Sequence, residues 1–243
     1  MGEYYNWVNV DRKEYICPAD FDLCNKLLDS SDPYNPFLCA LGQLLKNEWK
    51  DSHILFLGDS KDLSKDDTNE TLSILYRHSE ESGFTGCGID TIVETYKNIS
   101  GWFSAAEKCV RKEIEFYLQD LKNGGLDLFN EYNVDPVNPY SNLFSRKGCE
   151  YRYVVNQSKN VLYSPEEIVV DRVIDQRTKK NSANPLFKMI SHPSKEKNCK
   201  IDPLPYLMRY GYAGTGDWVG DIIGVSDEIP EGFKPVKRVR IDY

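Results

Sequence analysis

Residues 3–18 of the chain read EYYNWVNVDRKEYICP, and residues 150–165 read EYRYVVNQSKNVLYSP. The two stretches align without a gap and share the Glu-Tyr start, one Val, the Asn after it and the final Pro. In each stretch, aromatic and β-branched residues flank a short polar segment, which is typical of a β-hairpin. The sequence therefore predicts hairpins at residues 4–17 and 151–163.

A second pair of matching segments follows the two hairpins in the same order. Pro36-Phe-Leu matches Pro205-Tyr-Leu, and Trp49 matches Trp218, all at one spacing that is larger than the spacing of the hairpins. Two ordered blocks with matching predicted structure indicate an internal duplication. We expect an α+β fold in which two hairpin-helix-strand units are related by a pseudo-twofold axis, with an additional helical segment.

The predicted units divide the chain unequally. Residues 1–135 hold the first unit and a helical insert, and residues 148–243 hold the second unit. A length of 243 residues fits one compact globular domain.

Hydrophobic periodicity predicts the remaining elements. The predicted helices are 36–46, 69–81, 90–98, 101–122, 126–132 and 204–210, and the predicted strands are 53–57, 218–225 and 236–241. Residues 165–174 fit either a helix or a strand. The polar residues 175–200 are expected to form a surface loop.

The glycine-rich stretch at residues 211–228, GYAGTGDWVGDIIGVSDE, poses the question of a phosphate loop. Such a loop needs its glycines after a strand and before a helix, so that helix amides face the anion. Here the predicted order is helix, glycines, strand. The stretch is therefore interpreted as a tight turn whose glycines adopt positive φ.

Composition excludes several classes of function. The net charge is −8 and no long run of Lys or Arg occurs, so a nucleic-acid partner is not expected. No signal peptide, membrane span or cofactor signature is recognised. The seven Cys form no CxxC pair and the three His have no metal-ligand spacing, which indicates reduced thiols, a cytoplasmic location and no metal.

Four residues are candidates for catalysis. Asp59 and Asp227 each follow a predicted inner strand, so a twofold axis could bring the two carboxylates together to divide acid and base roles. Alternatively, both are turn residues that bind local amides. Cys87 lies in the turn Gly86-Cys87-Gly88, nine residues after His78, and is a candidate thiol nucleophile or a loop cysteine without function.

Four aromatic residues are candidates for binding. Tyr5 and Trp7 belong to an aromatic run that alternates across two strand faces, so one set of side chains could be exposed for protein recognition. Trp49 and Trp218 are expected at equivalent positions. They are either paired core anchors or walls of a ligand cleft.

The chain resembles a group of uncharacterised bacterial proteins with openings of the type MG(E/Q)Y. The resemblance rests on MGEYYNWVNVDRKEY at residues 1–15, on Trp49 together with LGD at 57–59, and on DPLP and GDWVGD at 202–205 and 216–221. It covers most of the chain. It implies a soluble bacterial or phage-borne protein and carries no activity or catalytic residues.

Taken together, these features predict a non-enzymatic protein-binding protein with an immunity, inhibitor or accessory role. An acidic chain with 16 Tyr, three His and no recognised catalytic motif is consistent with a protein partner. One alternative is a small-molecule enzyme, such as a hydrolase, with a carboxylate-lined cleft between the two halves. A purely structural module is a third possibility, and no oligomeric state is predicted.

Overall fold

The structure is a computed structural model that describes residues 3–23, 26–33, 35–104, 106, 115, 118–119, 122–124, 151–173 and 201–242. The strands are β1 (Tyr5–Asn9), β2 (Glu14–Ile16), β3 (Ser52–Gly58), β4 (Lys97–Asn98), β5 (Tyr153–Asn156), β6 (Val161–Tyr163), β7 (Val169–Val173), β8 (Arg209–Gly211), β9 (Gly214–Thr215), β10 (Ile222–Ser226), β11 (Lys234–Pro235) and β12 (Arg238–Asp242). The helices are α1 (Pro36–Lys46), α2 (Glu70–Ser82), α3 (Gly88–Thr95) and α4 (Leu204–Met208). This combination confirms the α+β class.

Among the described residues, ten strands form one sheet. Its main path is β11-β6-β5-β10-β3-β1-β2-β4, with β8 beside β3 and β9 beside β8. The order is the same from both ends. Each hairpin, β1–β2 and β5–β6, has an antiparallel neighbour on its inner side and a parallel neighbour on its outer side. Strands β7 and β12 form a separate parallel pair.

The two hairpins have the same register and the same turn. Equivalent residues pair in each unit: Trp7 with Ile16 and Phe56, and Val154 with Tyr163 and Val225. The Asn9 side chain accepts a hydrogen bond from the Arg12 amide at 3.0 Å, and Asn156 accepts one from the Lys159 amide at 3.0 Å. An Asn at this point of the turn holds it by bonding its own backbone.

The two units meet where β3 and β10 pair antiparallel, with His53 opposite Ile222. The His53 amide donates to Asp11 Oδ2 at 2.8 Å, and the Ile222 amide donates to Ser158 Oγ at 2.9 Å. The two bonds are equivalent, because exchanging the units turns the first into the second. A local twofold axis therefore passes beside the His53–Ile222 pair. The register is thus repeated in the two units, and the internal duplication stays a prediction.

Both faces of the first unit are covered, which leaves all five residues of β1 buried. One core cluster lies between the sheet and α1 and includes Tyr5, Trp7, Phe37, Leu41 and Phe56. The other lies between the sheet and helices α2 and α3 and includes Val8, Leu55, Leu72, Leu75 and Ile92. Burial on both faces is what makes β1 and β3 the centre of the fold.

The glycine-rich stretch differs from its predicted form. Helix α4 ends at Met208, because Arg209 is extended (φ −63°, ψ 138°), and the chain enters the β8–β9 ribbon. Strand β8 pairs parallel with β3, with Arg209 opposite Phe56. The helix predicted over 204–210 therefore ends two residues early, the β8–β9 hairpin follows it, and the strand predicted at 218–225 begins only at Ile222, as β10. Positive φ occurs at Gly214 (122°) and Gly220 (71°), as predicted for the turn.

Other boundaries also change. The helix predicted over 90–98 ends at Thr95 and is followed by β4, and the ambiguous segment 165–174 contains β7. The closing strand predicted at 236–241 corresponds to β12, which begins two residues later, and the short β11 precedes the predicted segment. The helices predicted over 101–122 and 126–132 and the loop 175–200 lie wholly or largely outside the described residues.

Candidate functional site

The structure does not bring Asp59 and Asp227 together. Strands β3 and β10 run antiparallel from the His53–Ile222 pair, so residues that follow their ends lie at opposite ends of the sheet. Asp59 Oδ1 accepts the Tyr4 amide at 3.2 Å, and Asp227 Oδ2 lies 3.7 Å from Lys46 Nζ. The expected acid–base pair is therefore absent from this geometry. Asp59 instead binds the amide of Tyr4, which is 55 residues away in the chain, so this bond is not the local turn bond of the alternative interpretation.

Cys87 and His78 have separate partners. The Cys87 thiol donates to Asp90 Oδ2 at 3.1 Å, and burial is the main cause that raises the pKa of this thiol. His78 Nδ1 lies 2.7 Å from the Tyr96 hydroxyl, and burial is the main cause that lowers the pKa of the imidazole. A nucleophilic cysteine needs a lowered thiol pKa. The surroundings of Cys87 do not favour the role expected for it.

The four aromatic candidates for binding are core residues. Tyr5, Trp7, Trp49 and Trp218 are 1%, 0%, 0% and 5% exposed. The Tyr5 and Trp7 rings lie against Phe56, with centroids 4.8 Å and 4.3 Å away. Since both faces of β1 are covered, the expected exposed aromatic set does not include them. Trp49 and Trp218 follow the alternative of core anchors.

A His–Asp pair lies at the junction of the units. His53 Nδ1 is 3.0 Å from both carboxylate oxygens of Asp11, and each side chain is roughly one third exposed or more. Ser158 binds the Ile222 amide as Asp11 binds the His53 amide, although no imidazole is present there. The shared task is to hold the backbone at the junction. The geometry therefore assigns Asp11 a structural role.

A buried aspartate not anticipated from the sequence has hydrogen-bond partners in both units, its carboxyl in the second unit and its backbone amide in the first. Asp202 Oδ1 accepts the Tyr163 hydroxyl at 2.5 Å and the Leu204 amide at 2.9 Å, and the Asp202 amide donates to Ser31 O. Burial raises the pKa of Asp202 and also that of Tyr163. The segment DPLP at 202–205 was noted in the sequence, but burial of the carboxyl depends on the tertiary packing.

The Asp202→Asn variant tests this carboxyl. A raised folded-state pKa means that the folded state takes up the proton first, so its stabilising effect is present at low pH and is lost as pH rises. Unfolding free energies from urea titrations at several pH values should show a smaller rise on acidification in Asp202→Asn. Asn retains the acceptor oxygen, so stability near pH 7 should not fall by more than about 1 kcal/mol.

The exposed Asp227 is the matched control, because Asp227→Asn should shift the curve by less than about 0.5 kcal/mol at every pH. An unchanged pH slope in Asp202→Asn would show that this carboxyl does not carry the effect.

A carboxylate near the chain start fixes the β8–β9 hairpin. Glu3 accepts hydrogen bonds from the Tyr5 hydroxyl at 2.5 Å, the Tyr212 amide at 2.6 Å and the Ala213 amide at 3.3 Å. Burial, and then the bond to Glu3, raise the pKa of Tyr5, so its hydroxyl stays protonated and donates. The hairpin tip is thus anchored to the first strand.

Two glycines make room for this carboxylate. A Cβ at Gly58 would lie 2.3 Å from Glu3 Oε1, and a Cβ at Gly211 would lie 2.6 Å from the same atom. Any larger residue at either position would displace Glu3. The glycines were visible in the sequence, but their partner lies more than fifty residues away along the chain.

The anchored tip presents a tyrosine to solvent. Tyr212 is 85% exposed, and Tyr4, next to Glu3 in the chain, is 46% exposed. The loop 59–67 flanks the same hairpin, since Lys61 Nζ donates to Thr215 Oγ1 at 2.9 Å and the Tyr210 hydroxyl donates to Asp62 O at 3.1 Å. We define Tyr4, Tyr212 and the exposed residues of loop 59–67 as the hairpin face.

Within the described ranges, no three His, Cys, Asp or Glu side chains cluster closely enough to hold a metal ion. Likewise, none of the described helices is long and apolar enough to cross a bilayer. No protein-family model, no curated protein and no solved structure matches the chain.

Proposed function

We propose that the chain is a protein-binding protein that contacts its partner through the hairpin face. The observation that carries this proposal is the exposure of Tyr212 on a hairpin whose backbone is held by the Glu3 carboxylate. The partner has an accessory, inhibitor or immunity relationship with the chain, as expected from the sequence.

Tyrosine on a fixed backbone suits recognition for a physical reason. It offers a large amphipathic contact area with few rotatable bonds, so little conformational entropy is lost on binding. The Tyr212 side chain is 85% exposed and therefore adds little to the buried core. A contribution to stability does not explain a tyrosine at this position. Binding energy typically concentrates in a few such residues.

The enzymatic alternative has less support. Its proposed cleft relied on Asp59 and Asp227 meeting at the twofold axis, and the antiparallel junction separates them. The His53–Asp11 pair lies near the axis, but its bonds serve the backbone in both units. The dispersal of the candidate groups favours binding over catalysis.

Site-specific photo-crosslinking tests the proposal. The photoreactive residue p-benzoylphenylalanine replaces Tyr212 in cells that naturally express the chain, and adducts are identified by mass spectrometry after irradiation. We expect one dominant protein adduct. The matched control places the same group at Ile229, which is 53% exposed and follows β10 at the other end of the sheet.

The control and the variant together decide the outcome. Tyr212→Ala should leave stability within about 0.5 kcal/mol and weaken binding of the captured protein about tenfold. The same adducts at both positions, or no adduct at position 212, would contradict a binding role for the hairpin face.

A further inference from the structure

We propose that the partner presents Lys and Arg side chains to the hairpin face. This inference rests on the proposed function and specifies the chemistry of the partner. It starts from the distribution of charge on loop 59–67 and from the cation–π contact between Lys61 and the Tyr210 ring.

The charge of the loop is acidic and points outward. Asp59, Asp62 and Asp66 are exposed, and Asp67 is partly exposed. Two lysines interrupt the four acids: Lys61 is turned back onto the hairpin through its bond to Thr215, and Lys65 is exposed. The loop remains acidic, with four Asp against two Lys. The chain as a whole carries a net charge of −8. A basic protein surface is the complement that such a field attracts and orients.

The hairpin also contains a tyrosine ring that binds a cation. Lys61 Nζ lies 4.1 Å from the centroid of the Tyr210 ring, within the range of a cation–π contact. Tyr212 lies two residues further along the ribbon and has its ring exposed. A guanidinium or ammonium group from a partner can occupy the face of that ring as Lys61 occupies the face of Tyr210, while the loop carboxylates stabilise its charge.

The two features act over different ranges. The carboxylates attract a basic surface from a distance and lose this effect in high salt, because ions screen exposed charges beyond about 10 Å at 0.1 M. The Tyr212 ring acts on contact and is less sensitive to salt. Binding through this face should therefore depend on both the acids and the ring, each with its own signature.

A pair of defined peptides tests the inference by fluorescence anisotropy. One labelled peptide carries Arg at every third position between Gly and Ser, and the other carries Glu at those positions. We expect the Arg peptide alone to bind the full chain, with affinity that falls about tenfold or more between low salt and about 0.5 M NaCl.

Two charge-reversal variants separate the local effect from net charge. Asp62→Lys with Asp66→Lys alters exposed loop residues, whereas Glu228→Lys with Glu231→Lys makes the same change in net charge in the turn after β10. The loop variant should lose at least about fivefold in affinity and the remote variant less than about twofold. Tyr212→Ala should also weaken binding of the Arg peptide about fivefold.

Each outcome has one meaning. Equal losses in the two charge-reversal variants, or failure of the Arg peptide to bind, would overturn the basic-partner inference. If photo-crosslinking at position 212 still captures a dominant protein, the proposed function stands without this inference. If position 212 gives no adduct, the proposed function fails regardless of peptide binding.

Discussion

Replacing Gly216 with Ala is expected to lower the free energy of unfolding by about 3 kcal/mol or more. A Cβ at this position would lie 2.2 Å from Leu207 O and 2.4 Å from Tyr206 O, distances that real side chains essentially never adopt. Both contacts are backbone atoms of α4, so no side chain can rotate away. The backbone itself has to move, in a tightly packed region.

The displaced segment bears on several other elements. The Gly216 amide donates to Arg209 O at 2.8 Å, and the Trp218 amide donates to Leu207 O at 2.8 Å, so α4, β8 and the turn before β10 are joined here. Urea unfolding monitored by circular dichroism measures the loss in the free energy of unfolding. Because β8 carries the hairpin, the same variant should also perturb the hairpin face.

Gly224→Ala is the matched control within β10. The nearest atom to a Cβ there is Gln157 Nε2 at 3.4 Å, at the free end of a side chain. A glycine inside a strand costs roughly 0.5–1 kcal/mol relative to alanine, so this change should be neutral or stabilising. Similar losses in the two variants would mean that crowding at Gly216 does not hold this region together.

The repeated hairpin could be recognised from the sequence because its signal is local. The alternation of aromatic and β-branched residues in 4–10 and 151–156, with Asn9 and Asn156 at the turns, specifies strands and a bend without knowledge of the rest of the chain. The registers observed at Trp7 and Val154 agree with the alignment made from the letters alone.

The shortest strands had no such signal. Strands β4, β9 and β11 contain two residues each, too few for any periodicity, and their position depends on a neighbouring strand edge. Lys97 lies opposite Glu14 only because α3 ends where it does. Tertiary contacts, not local propensity, determine these elements.

The prediction that Asp59 and Asp227 meet was wrong for a geometric reason. The alignment placed Asp59 and Asp227 near equivalent ends of β3 and β10, but equivalent residues meet only if they lie close to the twofold axis. The axis passes beside His53 and Ile222, at the start of β10 and near the start of β3. The Glu3 anchor was missed because it joins residues that are far apart in sequence and have no shared motif.

Replacing Trp49 with Ala is expected to lower the free energy of unfolding by about 3–5 kcal/mol. The side chain is fully buried, and its Nε1 donates to Glu14 Oε2 at 2.9 Å. Removal leaves a large cavity and takes one donor from a carboxylate that is itself 7% exposed. Arg12 Nε remains on the same oxygen at 3.0 Å, which limits but does not cancel the loss.

Phe substitutions separate the indole bond from the packing. Trp49→Phe retains most of the ring volume and loses the bond to Glu14, which should cost about 1–3 kcal/mol beyond the change in packing. Trp7→Phe is the matched control, because the buried Trp7 Nε1 has no hydrogen-bond partner among the described residues. That substitution should cost less, since it also removes an unpaired buried donor.

The comparison decides what the paired tryptophan position contributes to the fold. A larger loss in Trp49→Phe than in Trp7→Phe, measured by urea unfolding with circular dichroism, identifies the Glu14 bond as a specific link between β2 and the turn after α1. Trp218 occupies the equivalent place in the second unit. The counterpart of Glu14 there is Val161, which has no carboxylate. The Trp218 ring instead packs near Tyr163, with the ring centroids 5.8 Å apart. Equal losses in the two Phe variants would instead mean that Trp49 and Trp7 both stabilise the fold through their volume alone. The Glu14 bond, which the second unit lacks, would then make no measurable contribution to stability.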